Sequence, residues 1–272
     1  MMTMRPSRVL KKLRAGQPAF CTKINTGDAR VAEIAAISGF DCVWLDREHC
    51  PNDLRAIEEQ TRACLMHNAD VMVRVPRGSY SELIWPFEMN ATAIMVPHVM
   101  SAADAKHVAR MTKFHPVGRR PLDGGNADGL YCGIGTAEYT QQANRERLVI
   151  IQIEDPEPME ELDAIAATPG IDMLLFGPGD FAHGCGVTGE LNHPKVVDAR
   201  KKVVEACKRH NKFASTVASI EVIPEYIAMG YQFLNVGADV LALMKYFGDL
   251  VAQLPTAGPA ASTAATPYGS TR

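Results

Sequence analysis

Several things this chain lacks narrow what it does. None of its seven cysteines (Cys21, Cys42, Cys50, Cys64, Cys132, Cys185 and Cys207) stands in a CxxC pair, and the total is odd. Scattered single thiols argue against a disulfide framework and against a cysteine zinc site, and they fit the reducing cytosol. No uninterrupted apolar run approaches the ~18 residues of a membrane span. The basic opening MMTMRPSRVLKKLRAG also lacks the apolar stretch of a secretion signal. A cytoplasmic protein with no membrane partner is the expectation. The formal charge of -3 gives no electrostatic reason to expect nucleic acid. No GxGxxG follows the first strand-like run, which weakens a dinucleotide-binding reading.

What is present is a rhythm. FCTKI, DCVWLD, DVMVR, AIMVP, LVIIQIE, DMLLFG, KFAST and FLNVG are eight short apolar or β-branched runs. Between them lie segments with helical spacing, among them DARVAEIAAISG, NDLRAIEEQTRACLMH, ADAKHVARMTKF, PMEELDAIAAT and HPKVVDARKKVVEACKRH. Strands alternating with helices predict a parallel sheet with right-handed crossovers, and a count of eight favours an α/β protein closed as a (β/α)8 TIM barrel. One barrel domain over residues 1–254 is expected. The tail 255–272, PTAGPAASTAATPYGSTR, has little to bury and is expected to be disordered. The Gly- and Pro-rich stretch over 114–133 is too long for a simple connection and predicts an active-site loop.

Charges stand just past the ends of four of these runs: Asp46, Arg74, Glu154 and Asp180. A parallel strand is buried on both faces, so a charge is tolerated where the apolar run stops, and on a barrel such stops converge on one mouth. Glu154 and Asp180 are the strongest pair. Two carboxylates at successive strand ends suit a hard divalent ion, Mg2+ or Mn2+, whereas either alone would read first as a helix cap, with a surface salt bridge as the other bland role. Gly177, Pro178 and Gly179 lie between them and leave the backbone open to an anion. Arg74, followed by Val75 and Pro76, presents a planar fork suited to a carboxylate or enolate; a salt bridge to a strand-end acid is the other reading.

His49 is the acid/base candidate, with Asp46 or another carboxylate to fix its tautomer. Gln152 shares the barrel-interior side with Glu154 by strand alternation. Glu48 stays open between water-mediated metal ligation, pairing with Arg74 and anchoring. Among the other histidines, His67, His107 and His210 fall on helical patterns. His98 ends the fourth strand and His115 enters the long loop. Lys23, after the first strand, is the one lysine placed to be checked as a Schiff base.

Taken in order, FDCVWLDREHCPND, VMVRVP, IMVPHV, GRRP, VIIQIEDPE and GPGDF resemble the HpcH/HpaI class II pyruvate aldolases over nearly the whole chain. The resemblance implies a barrel whose subunits form hexamers, dimers of trimers that exchange a C-terminal helix. It also implies a divalent metal (Mg2+, Mn2+ or Co2+) that holds pyruvate or its enolate. On that model Glu154 and Asp180 are the metal ligands, Arg74 stabilises the enolate, His49 is the base assisted by Asp46, Gln152 lies near the metal, and the Gly179 N–H meets the pyruvate carboxylate. Where such aldolases commonly show Asp-Ala-Gly, this chain has Glu88-Met89-Asn90, which puts Glu88 where an acid reaches a neighbouring subunit's aldehyde pocket.

The polar loop residues Arg119, Arg120, Asp123 and Asn126 suggest recognition of hydroxyls or a second carboxylate. The expected activity is reversible cleavage of a 4-hydroxy-2-oxo acid to pyruvate and an aldehyde. The alternatives are an oxaloacetate decarboxylase or macrophomate-synthase-like lyase on the same scaffold, and an inactive protein that only binds oxo acids.

Overall fold

A computed structural model describes residues 2–255; the tail expected to be disordered lies, from residue 256 on, outside the described residues. Eight strands carry the architecture: β1 (Ala19–Ile24), β2 (Cys42–Asp46), β3 (Asp70–Arg74), β4 (Ala93–Val96), β5 (Leu148–Ile153), β6 (Met173–Phe176), β7 (Phe213–Ala218) and β8 (Phe233–Ala238). Each pairs in parallel with its sequence neighbours, and β8 returns to β1 to close the barrel in the order β1 to β8. Among the described residues eleven α-helices accompany them: α1 (Arg8–Arg14), α2 (Ala29–Ile37), α3 (Leu54–Met66), α4 (Tyr80–Glu88), α5 (Ala102–Thr112), α6 (Thr136–Glu146), α7 (Leu162–Ala166), α8 (Pro178–Gly184), α9 (Pro194–Arg209), α10 (Ile223–Met229) and α11 (Asp239–Gln253).

Period-two alternation explains why the strand runs are apolar throughout. Ala19, Cys21, Cys42, Trp44, Met72, Met95, Ile150, Met173, Leu175 and Phe233 point inward and fill the barrel. Their strand neighbours Val43, Leu45, Val71, Val73, Ile94, Val149, Ile151 and Leu174 point outward and pack with apolar residues of the surrounding helices. α1 closes the N-terminal end of the barrel by adding Val9, Leu10 and Leu13 to the interior cluster. Ser7 caps this helix by accepting from Leu10 N, and its hydroxyl donates to Asp70 Oδ2 at 2.6 Å.

The long loop packs as ordered chain. The short 3-10 turn Ala127–Gly129 interrupts it, and Arg120 is buried in an ion pair with Asp128 at 2.9 Å, its guanidinium over the Phe114 and Phe87 rings. At the other extreme, α11 buries only its first residue, Asp239, which accepts from Asn25 N and from the N–H and hydroxyl of Thr26. Leu241, Met244, Tyr246, Phe247, Leu250 and Val251 along the same helix are exposed.

Candidate active site at the barrel mouth

The strand ends build the site in register. Asp46 and Arg74 are direct neighbours across β2 and β3, so their side chains leave the ladder at one height. Asp46 Oδ1 accepts from Arg74 Nε at 2.9 Å, and its Oδ2 accepts from Arg74 Nη2 at 2.6 Å. Lys23 Nζ of β1 approaches the same Oδ2 at 2.7 Å. Burial alone would raise the Asp46 carboxyl, but the hydrogen bonds and charges of Arg74 and Lys23 outweigh it and hold the group well below the usual carboxylate range. The Glu48 N–H donates to Asp46 Oδ1 at 3.0 Å, a turn that swings the Glu48 carboxylate back onto Arg74 Nη1 at 2.8 Å. Arg74 thus donates two N–H groups to Asp46 and stands in an ion pair with Glu48. Its guanidinium stacks 5.0 Å from the Trp44 ring centre.

A second group gathers around Glu154, which is 1% exposed just past β5. Pro97 has no N–H to extend the β4 ladder, and the chain turns at His98 with φ +49°, a left-handed conformation costly for this residue. That turn aims the His98 N–H at Glu154 Oε1, 3.0 Å away, while its ring bonds Asp155 through Nδ1 at 2.9 Å and places Nε2 3.5 Å from Glu48 Oε1. Glu48, His98 and Glu154 each offer a ligand atom, all within 4.8 Å of one another. Gln152 donates to Glu154 Oε2, and its own Oε1 is buried without a partner.

The Glu154 carboxyl is pushed up to about 7 by burial first and then by the like charges of Glu48 and Asp180, against the lowering influence of His98. Desolvation would lower the His98 imidazole, yet the Asp155 hydrogen bond and the surrounding acids leave it raised. A buried acid ringed by other acids is what a divalent cation would relieve, and an orphaned amide oxygen beside it adds another hard donor. The residues present therefore fit a divalent ion.

Asp180 sits exposed in the first turn of α8, near enough to act on Glu154 through charge. Gly177 admits no side chain, because a Cβ there would meet Glu154 Cβ at 2.9 Å and Gln152 Nε2 at 3.1 Å. Gly179 is open, with nothing within 4 Å of such a Cβ, and its N–H lies in a helical turn where the helix supplies no acceptor. Gly177, Gly179 and Asp180 border a mouth cavity of about 740 Å³ that Lys23, Trp44, His49, Arg74 and Gln152 also help line.

Of the expected residues, His49, Arg74, Gln152, Gly179 and Asp180 line this mouth, while the group within ligand range of Glu154 among the described residues is Glu48 and His98, without Asp180; three further points differ in detail. His49 is largely exposed, and its nearest ionic neighbour is Glu48 at 3.6 Å. Asp46 spends its oxygens on Arg74, Lys23 and the Glu48 N–H. Glu88, half-buried on α4, lies within electrostatic range of Arg120, Asp128 and Asp123, and burial raises its carboxyl; it does not line the mouth cavity among the described residues. The residue most underweighted from sequence is His98, whose signal was its place directly after a strand and a proline.

A closed parallel barrel with its polar groups gathered at the carboxyl ends of the strands defines a TIM-barrel enzyme. The chain belongs to the HpcH/HpaI aldolase/citrate lyase family, whose model matches residues 24–245. It is 30% identical over 269 residues to a hydroxypyruvate/pyruvate aldolase of Pseudomonas aeruginosa, covering 98% of this chain and 100% of that one. It is also 30% identical over 210 residues to a 5-keto-4-deoxy-D-glucarate aldolase of Enterobacter sp. (strain 638), covering 76% and 81%. Among solved structures, an HpcH/HpaI aldolase from Desulfitobacterium hafniense DCB-2 superposes with a TM-score of 0.86 at 28% identity, covering 92% of this chain and 98% of that one. Family and relatives alike indicate aldolase or lyase activity.

Proposed function

We propose that the chain cleaves a 4-hydroxy-2-oxo acid reversibly to pyruvate and an aldehyde, with a divalent cation at Glu154. The observation that carries this reading is the buried Glu154 carboxyl, gathered with Glu48 and His98 so that their ligand atoms lie within 4.8 Å of one another, and raised to about 7. Glu154 and Asp180 would hold the ion, with Gln152 beside it and Glu48 and His98 on the flank. When bound, the cation supplies Lewis-acid stabilisation of charge developing on the 2-oxo oxygen. Mg2+, Mn2+ and Co2+ all suit such a donor set.

The rest is the work of side chains. The Gly179 N–H donates to the substrate carboxylate, and the N–H groups of Arg74 not bound to Asp46 face the 2-oxo oxygen, the guanidinium being held by the Asp46 hydrogen bonds and the nearby charge of Glu48. His49, in contact with solvent, takes the C4 hydroxyl proton directly or through one water. The C3–C4 bond then breaks, its electron pair stays on C3 and spreads to the 2-oxo oxygen, and C4 leaves as the aldehyde carbonyl. A proton delivered to C3 completes pyruvate.

The test is proton NMR of pyruvate in deuterated water with the purified enzyme and each cation. Loss of the methyl signal with Mg2+, Mn2+ or Co2+, together with aldehyde-dependent product, supports the reading. Carbon dioxide release from oxaloacetate without aldehyde chemistry would replace it with the decarboxylase. Pyruvate binding with no exchange would mean an inert oxo-acid binder.

The exposed apolar side of α11 supports a further element of the same reading, a homo-oligomer in which this helix is exchanged between copies, as in a hexamer built from two trimers. On the same reading Glu88 would reach toward a neighbouring subunit's aldehyde pocket. A molar mass from light scattering checks it. We further take residues 2–254 as one cytoplasmic barrel domain.

A further inference from the structure

We propose that Lys23, with the indole N–H of Trp44, forms a subsite in the mouth cavity that binds an oxyanion carried by the acceptor aldehyde. The inference rests on the aldolase reading and names a property of that same site. Lys23 stands on the inward face of β1, level with Trp44 of β2 and Ala238 of β8, and its side chain reaches the cavity with 17% of its surface exposed. Its ammonium lies 5.2 Å from the Trp44 ring centre and 2.7 Å from Asp46 Oδ2.

An ion pair that only supported Asp46 would be redundant. Asp46 already receives both Arg74 hydrogen bonds and the Glu48 N–H. One N–H of an ammonium serves Asp46, which leaves two for the cavity. An ammonium held against a carboxylate and an indole face is a poor nucleophile, so the geometry favours ion binding over a Schiff base.

The second observation comes from Trp44. It is 4% exposed, it borders the same cavity, and its Nε1 has no hydrogen-bond partner. A buried donor without an acceptor is costly unless a ligand supplies one. Lys23 and Trp44 are on β1 and β2, whereas the residues proposed to receive the pyruvate half lie across the barrel, Gln152 on β5 and Gly179 and Asp180 after β6. An acid aldehyde with its carbonyl oxygen toward His49 would have Lys23 and Trp44, which line the same cavity, for its charged end.

The experiment compares aldol addition of pyruvate to 4-oxobutanoate and to its methyl ester, which differ in one charge at nearly equal length. The wild type should prefer the acid, and Lys23→Met should lower the acid-to-ester ratio of kcat/KM by about tenfold or more, with Lys23→Arg retaining most of it. An unchanged ratio overturns the subsite, including the case in which acid and ester fall together, since that marks Lys23 as support for Asp46 alone. Glyceraldehyde 3-phosphate against glyceraldehyde, run in parallel, tells a phosphate-bearing acceptor from a carboxylate-bearing one.

A readout independent of turnover uses Trp85→Phe, which leaves Trp44 the only indole of the chain's two tryptophans. Malonate should change its fluorescence saturably, and adding Lys23→Met should abolish the response; an identical response in both proteins sinks the proposal. If the wild type fails to exchange the pyruvate methyl protons, the aldolase reading falls, and the malonate titration still decides the subsite.

Discussion

The two ends of this barrel use the same residue types to opposite effect. At the N-terminal end, Asp70 accepts from Arg5 at 2.7 and 2.8 Å, from the Ser7 hydroxyl at 2.6 Å and from Val9 N at 2.9 Å. Asp41 pairs with Arg8 at 2.9 Å and Lys12 at 2.7 Å. A hollow of about 580 Å³ opens there too, and the one carboxylate on its border, Asp41, is already paired with Arg8 and Lys12. At the C-terminal mouth, Glu154 faces Glu48 and Asp180, Gln152 Oε1 and Trp44 Nε1 are buried without partners, and His98 sits in a strained conformation. One end has spent its polar groups on holding α1 to the barrel; the other has kept them free at a cost in stability, which marks it as the working end.

The sharpest way to break this contrast is Arg74→Lys, which should lower kcat/KM about a thousandfold, because a point charge cannot hold Asp46 and Glu48 and still present a fork to substrate. Near-normal steady-state rates would remove Arg74 from the chemistry. His49→Ala comes next. Turnover should fall about a hundredfold, the usual worth of a positioned proton-transfer group, while pyruvate affinity measured by titration changes only a few-fold. Equal losses in both would deny His49 the proton.

How far the sequence reaches follows the same division. The barrel was legible because its strands are apolar on both faces, and Asp46, Arg74 and Glu154 were legible because each stands where an apolar run ends. Their pairings were not. Whether Asp46 turns to His49 or to Arg74 depends on the turn made by Glu48 N and on register between β2 and β3, neither of which leaves a mark in residue order. His98 was ambiguous for a related reason. A histidine after a strand reads alike on any loop until its left-handed turn sets it between Glu48 and Glu154, residues 50 or more positions apart in sequence. Lys23 interrupts FCTKI at an inward position, and only closure of the barrel shows what it meets.

Glu154 supplies a test by pH. Its carboxyl, ordinarily near 4.5, is raised to about 7, so below that pH an incoming cation must displace a proton. Apparent affinity should fall about tenfold per unit as pH drops below 7 and level off above it, as measured by calorimetric titration of the chelator-treated protein at several pH values. A raised acid also stabilises the fold fully below its unfolded value and loses that contribution as pH rises through the folded one. The Tm of the metal-free protein should therefore fall between about pH 5 and 8 through this group, and added Mg2+ or Mn2+ should reverse the fall. Glu154→Gln removes the carboxyl's own part of the slope; a slope identical to wild type would place the tension elsewhere.

The smallest catalytic effect is expected at the other end. Asp70→Asn keeps the shape but weakens the charge-assisted bonds to Arg5, Ser7 and Val9, so α1 should loosen from the barrel at a cost of about 1–3 kcal/mol, read as a lower midpoint in urea. Its distance in register from Arg74, a full strand length along β3, leaves the mouth geometry untouched, and kcat/KM should stay within about twofold of wild type at a temperature where the variant is folded. A large catalytic loss in a folded Asp70→Asn protein would show that the two ends are mechanically coupled through β3, and the separation of a supporting end from a reacting end would not hold for this barrel.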